Sequence, residues 1–139
     1  MATRNILRIV STRTVSGLPL EANAVINPGE IVLRHTTTGN CRAGAAGLGA
    51  SYVAVGVHAG STTVDNTGGA AGAKTVDVWQ GVFLFDNSAT NTITATKLTA
   101  TCYCEDGNTV GTSNANSAVG PAIGLGYSSI PGVQVKIES

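Results

Sequence analysis

The chain has 139 residues, eight Lys+Arg balanced by eight Asp+Glu, and only 12% charged residues in all. A neutral, sparsely charged chain lacks the electrostatic footprint for wrapping nucleic acid or coating an anionic membrane, and no apolar run reaches the ~18 residues of a spanning helix. The length fits one domain with one sizeable core, exposing roughly 6,700 Å² when folded against roughly 20,000 Å² when extended. Glycine and threonine each number 18, with valine close behind, while lysine and glutamate are scarce. Thr and Val are stiff at χ1 and fit a pleated surface, whereas Gly weakens helices, so the composition points to β structure. A surface so poor in charge suits a protein packed into a larger assembly.

In chain order, Arg4 and Arg8 have no long apolar stretch behind them, so the N-terminus does not read as a secretory signal. Asn5–Val15 reads instead as a strand, with residues 1–15 a possible N-terminal arm or edge strand. Arg4, Arg8, Arg13, Arg34 and Arg42 outweigh Glu21 and Glu30, so the first third carries +3 and the remainder −3. That split suits docking on an acidic neighbour, or is a solvated face. Gly17-Leu18-Pro19-Leu20 breaks the first strand, Asn27-Pro28-Gly29 makes a turn, and Ile31–His35 is a clear strand. Thr36–Gly49 reads as a loop. Ser51–His58 alternates cleanly, Val53, Val55 and Val57 facing away from Tyr52, Ala54, Gly56 and His58. Residues 60–74 hold almost nothing to bury and read as a long, extended or mobile surface loop.

Val76–Phe85 carries the only Trp and both Phe, the pattern of a central strand. Thr92–Thr96 is a weak strand or turn. Leu98–Cys104 and Thr109–Thr112 flank Glu105-Asp106-Gly107-Asn108, a hairpin signal. Val119–Tyr127 is a glycine-rich strand interrupted by Pro121, and a turn on Pro131-Gly132 leads into Val133–Ile137, a strand with one wet face. The sum is about eight strands and no convincing helix: an all-β, single-domain β-sandwich over 1–139, preferably a jelly roll, with a small β-barrel as the alternative.

Chemistry-bearing patterns are thin. Cys102 and Cys104 point to one face of a strand, poorly placed to bridge each other. With Cys41 they lack a fourth ligand unless His35 or His58 supplies it, so they read as small hydrophobes in a reducing compartment rather than as a metal site. No nucleophile elbow accompanies the two histidines. Gly69–Thr75 has the wrong spacing for a phosphate loop and precedes a strand, not a helix. Glu105-Asp106, the one carboxylate pair, lies in a turn. The expectation is no catalytic residue, no cofactor and no metal.

The second half carries a more specific pattern: Val82-Phe83-Leu84-Phe85-Asp86-Asn87, then Thr92-Ile93-Thr94-Ala95, then Leu98 through Cys102 to Thr109-Val110, then Val119–Gly124, then Pro131-Gly132-Val133-Gln134-Val135-Lys136-Ile137. Residues 76–138 resemble the C-terminal half of the capsid decoration, or cement, proteins of tailed bacteriophages. In that family an aspartate–turn–Thr-Val hairpin precedes a glycine-bearing strand and a closing Gly-Val-x-Val-x-Ile strand, and the jelly-roll cement proteins of short-tailed phages are the nearest type. The resemblance implies a viral structural protein, not an enzyme. It would be made in the host bacterial cytoplasm and carried on the outer capsid surface. There it would clamp neighbouring major capsid proteins against internal DNA pressure, associating with itself as a dimer (preferred) or trimer. Capsid-facing candidates are Arg4, Ile6, Arg8, Val10 and Arg13, with Asp65, Asn66 and Lys74 on the long loop. The competing expectation is a carbohydrate-binding or adhesive β-sandwich module of a fibre or cell-surface protein. It would need exposed aromatics, whereas Trp79 falls in the most core-like strand.

Overall fold

Alternating Val, Thr and Gly positions produce eleven strands in the computed structural model, which describes residues 8–138, with side chains from Arg13 onward. They are β1 (Arg8–Pro19), β2 (Val25–Ile26), β3 (Ile31–His35), β4 (Cys41–Ala43), β5 (Tyr52–His58), β6 (Val64–Asp65), β7 (Thr75–Asn87), β8 (Thr101–Cys104), β9 (Thr109–Gly111), β10 (Ala118–Tyr127) and β11 (Ile130–Ile137). Among the described residues the only helical turns are short 3-10 segments at Gly49–Ser51 and Ala95–Lys97. None of the described helices is long and apolar enough to cross a membrane. The fold is an all-β, single-domain sandwich.

The topology is organised by β7. Along one edge it pairs antiparallel with β1 from Thr75 to Phe83. Its other edge changes partner midway, taking β5 at Val78 and Trp79 and β11 from Gly81 to Phe85. Its last residues, Asp86 and Asn87, run parallel to β9. From β11 the ladder continues to β10, β8 and β9 and returns to β7, so this side of the sandwich closes into a ring. β5, β3 and β4 extend the sheet on the far side, while β2 and β6 form a separate two-stranded sheet.

This arrangement buries β7 on both faces from Gln80 to Phe85, while Thr75 and Asp77 near its start stay exposed. Phe83 and Phe85 point into the main core with Ile31, Leu33, Val57, Val110, Val133, Val135 and Ile137. Val76 and Val78 point the other way, into a second core with Leu20, Ile26, Val32, Cys41 and Val55. A continuous apolar run is the pattern expected of a strand buried on both faces. Gln80 is the polar exception in the middle. It is 1% exposed, its Nε2 donates to the Val55 carbonyl (2.9 Å), and its Oε1 accepts from Arg13 Nε (2.5 Å). One buried amide thus ties β5, β7 and β1 together with both its nitrogen and its oxygen hydrogen-bonded, which is what makes its burial tolerable.

The structure departs from the sequence expectations at four places. Gly17-Leu18-Pro19 does not end β1; Gly17 adopts φ 74°, the register slips there, and the strand continues to Pro19. The 36–49 loop contains β4. Segment 60–74 is mostly exposed, but it is tied to the body of the fold. Its β6 pairs with β2, Val64 packs on the second core, and Asn66, 2% exposed, donates through its amide to the Glu21 and Ala70 carbonyls. It is a flap closing that core. Finally, the last hairpin turns at Ser128-Ser129, both with positive φ, and Pro131-Gly132 lies inside β11. The total accessible surface is 6380 Å², close to the value scaled from chain length.

Close packing of β10 on β11 depends on Gly120, where an added Cβ would overlap the Lys136 carbonyl oxygen. Backbone cannot move aside as a flexible side chain can. Gly120→Ala should therefore destabilise by about 2 kcal/mol or more, the scale of an overpacked core. Gly124→Ala, whose Cβ would meet only the Gln134 side chain at 3.1 Å, should cost under ~1 kcal/mol on the same scale. Urea unfolding of the two variants separates them.

Candidate interaction surface

Both ends of the sheet resist strand addition. β1 stands at one end of the strand order, but three register shifts interrupt it, and bulges twist an edge away from incoming strands. β4 stands at the other end with three residues, and Leu20 bridges it on its outer side. An association surface is better sought on a face than on an edge.

The face that stands out is the β10–β11 hairpin. Beyond Pro121 no register partner joins β10 to β8, so the tip is held by β11 alone. Ile123, Leu125, Tyr127 and Ile130 are 44%, 46%, 40% and 47% exposed. Residues 121–135 contain no Lys, Arg, Asp or Glu. Leu125, Tyr127, Ile130 and Pro131 line a shallow open groove at the tip. Gln134 braces it from the side, donating Nε2–H to the Gly126 carbonyl (2.7 Å). Val25 is the one other large apolar side chain among the described residues with comparable exposure. Clustered exposed apolar side chains without charge are the mark of a contact surface.

The residues singled out from sequence are distributed differently. Arg4 and Ile6 lie outside the described residues. Arg8 and Val10 sit in the edge strand β1, opposite Phe83 and Val82. Arg13 is exposed, with Nε on Gln80. Asp65 is exposed; its carboxylate accepts the Thr67 N–H (2.9 Å), and hydrogen bonds from Thr67 hold it below the usual carboxylate range. Lys74 is exposed, and its carbonyl accepts the Leu20 N–H. Asn66 is buried and spent inside the flap, so it offers nothing to a partner. Among the described candidates, Asp65 and Lys74 lie close enough for Lys74 to favour the charged Asp65 carboxylate.

The thiols are structural. Burial pushes Cys102 and Cys104 up to about 12 and Cys41 up to about 11. Cys102 donates to the Gly120 carbonyl and Cys104 to the Asp106 carbonyl. Raised values of this kind keep the thiols protonated at neutral pH and make them poor nucleophiles. Glu105-Asp106 is not simply a solvated turn: Glu105 Oε2 is buried. Nearby Glu30 is 3% exposed, and burial pushes its carboxyl up despite a hydrogen bond from the Asn27 N–H. A polar cluster lies at the opposite end of the sheet, where the Tyr52 hydroxyl meets Glu21, Arg42 stacks 5.9 Å from the ring and His35 meets it edge-on. Burial and Glu21 both push the Tyr52 phenol up. Trp79 packs on the main core, so among the described residues Tyr127 is the most exposed aromatic.

No family model, no curated protein and no solved structure matches this chain.

The hairpin tip carries local strain. Ser128 (φ 48°) and Ser129 (φ 69°) occupy the two positive-φ positions between the paired Tyr127 and Ile130, where Asn-Gly is preferred. Ser128→Asn with Ser129→Gly should stabilise the fold by up to ~1 kcal/mol by removing left-handed strain from non-glycine residues. Thermal unfolding reads this as a higher Tm with unchanged secondary structure.

Proposed function

We propose that the protein is a capsid decoration protein that binds the outside of a phage head and clamps neighbouring major capsid proteins. The observation that carries this reading is the uncharged hairpin face of Ile123, Leu125, Tyr127 and Ile130. On an isolated surface these side chains are a liability; against a neighbour they are the contact. Binding, not catalysis, also fits three thiols held protonated in the interior.

The energetics suit a clip. Each copy needs only a standard interface, ~1,600 Å² in total, with a few central apolar residues supplying most of the affinity. Repetition over a shell makes the effect additive, so capsomers cannot separate under internal pressure without losing many such contacts. A low-charge partner face is required, since nothing in residues 121–135 can form an ion pair. Self-association as a dimer could use the same apolar face or leave it free for the shell. Tyr127 and the flanking serines are also the groups a glycan-binding surface would use, so glycan binding is tested beside capsid binding.

The test is co-sedimentation with purified heads of short-tailed phages lacking their own decoration protein, together with the heat at which those heads burst. Wild type should co-sediment and raise the burst temperature. Leu125→Asp with Ile130→Asp should lose binding at least about 100-fold, the loss expected when two central contacts become desolvated charges, while keeping the wild-type Tm. Absence of wild-type binding, or binding untouched by the double substitution, counts against the reading. Glycan binding by the wild type in its place would favour the adhesive alternative.

A further inference from the structure

The flap over the second core begins at a histidine that the docking surface does not use. His58, the last residue of β5, is 3% exposed. Its main chain is fixed from both sides, its N–H donating to the Glu30 carbonyl and its carbonyl accepting the Gly29 N–H. Its imidazole Nδ1 accepts the N–H of Gly60, the first residue of the flap, at 2.8 Å. The contact is close: a Cβ on Gly60 would lie 2.7 Å from His58 Cε1. Because Nδ1 is an acceptor, the ring hydrogen is assigned to Nε2. Nε2 is itself buried and closes no hydrogen bond.

We propose that His58 is an acid-released latch: unprotonated Nδ1 holds Gly60 and with it the start of the flap, and protonation of Nδ1 releases it. A proton on Nδ1 would place N–H against N–H at a separation set for donor and acceptor, so the Gly60 contact turns from attractive to repulsive. Before Thr63 the chain's other tie to the ring is the Thr62 main chain, which favours the charged imidazole. Ser61, Thr62 and Thr63 are exposed, and the next tie is the Thr63 hydroxyl on Asn27 Oδ1 (2.8 Å). Under this stretch lies a cavity lined by Thr14, His58, Thr62, Val64, Val76 and Asp77. Release would open it onto Val76 of the second core.

The charges around the ring set the direction. Burial pushes His58 below the usual histidine value of 6.5, outweighing the Thr62 main chain and Asp77 on β7, both of which favour the charged imidazole. Glu30 turns its carboxylate to the Asn27 N–H, and Arg13 of β1 is engaged with Gln80. On the flap, Asp65 and Lys74 are exposed. With the folded value depressed, the unfolded or opened state takes up the proton first. The latch is fully closed above about pH 6.5 and loses its stabilising contribution as pH falls from there through the folded value. Glu30 has the opposite sign: its raised value makes acid favourable to the folded state, so it cannot mimic the release.

Amide hydrogen exchange of the full chain, corrected for the intrinsic effect of pH, tests the latch. Between pH 7.5 and 5.0 the amides of residues 59–66 should lose at least about tenfold protection, while those of β7 stay unchanged, the signature of local opening. His58→Gln supplies a non-titrating carbonyl acceptor for Gly60 and should abolish the step; His35→Gln should keep it. In the wild type, the midpoint of flap exchange should coincide with the His58 ring titration followed by NMR, a readout that needs no variant to fold. A step that survives in His58→Gln, no step in the wild type, loss of β7 protection together with the flap, or midpoints that differ would each overturn the proposal.

Discussion

The structure depends on β7 being buried on both faces at once. A strand with one wet face could support either core alone. Phe83 and Phe85 on one side and Val76 and Val78 on the other commit a single backbone to both. The change of partner along its far edge, from β5 to β11, lets one strand serve an open sheet and a closed ring together. Gln80 sits near that change, and its two side-chain bonds lock β5 and β1 to it. Removing either layer would expose apolar surface on β7, so the flap, the short β2–β6 sheet and the outer strand β1 are coverings that β7 makes necessary.

Much of this was legible because β periodicity is local. Val76–Phe85 announces a strand apolar on both parities, and Ile31–His35, Tyr52–His58 and Val133–Ile137 appear where alternation places them. Asp106-Gly107 marks the β8–β9 turn correctly. What was missed depends on distant residues. Gly60–Lys74 looks unpacked because it contributes few apolar side chains, yet Val64 alone reaches the second core and Asn66 bonds to carbonyls that sequence cannot place beside it. Gly17 reads as a breaker because its left-handed conformation is locally a stop; only β7 alongside shows that the strand resumes. Pro131-Gly132 is a stronger turn signal than Ser128-Ser129, and pairing with Phe85 and Leu84 just beyond it overrides that preference.

The candidate surface shows the same division. The arginine-rich start is marked by its charge, and from Arg8 onward it is the edge strand β1. Ile123, Leu125 and Tyr127 were visible as alternating apolar residues among glycines, and what could not be read was that β8 stops short of them and leaves their side chains uncovered. His58 likewise ends a clean alternating strand; its significance comes from Gly60, two residues on, folding back over the ring. The fold blunts both sheet edges while leaving one uncharged face, and this channels association toward side-chain contact instead of strand addition.

The most direct measurement of the central claim is native-state amide exchange at Val76–Phe85 set against global stability from urea unfolding. If β7 is the common wall of both cores, its amides exchange only when the whole molecule unfolds, with an opening free energy equal to the global value. Exchange of β7 through a smaller opening, while β3 and β5 remain protected, would show that the two cores are independent and contradict the account.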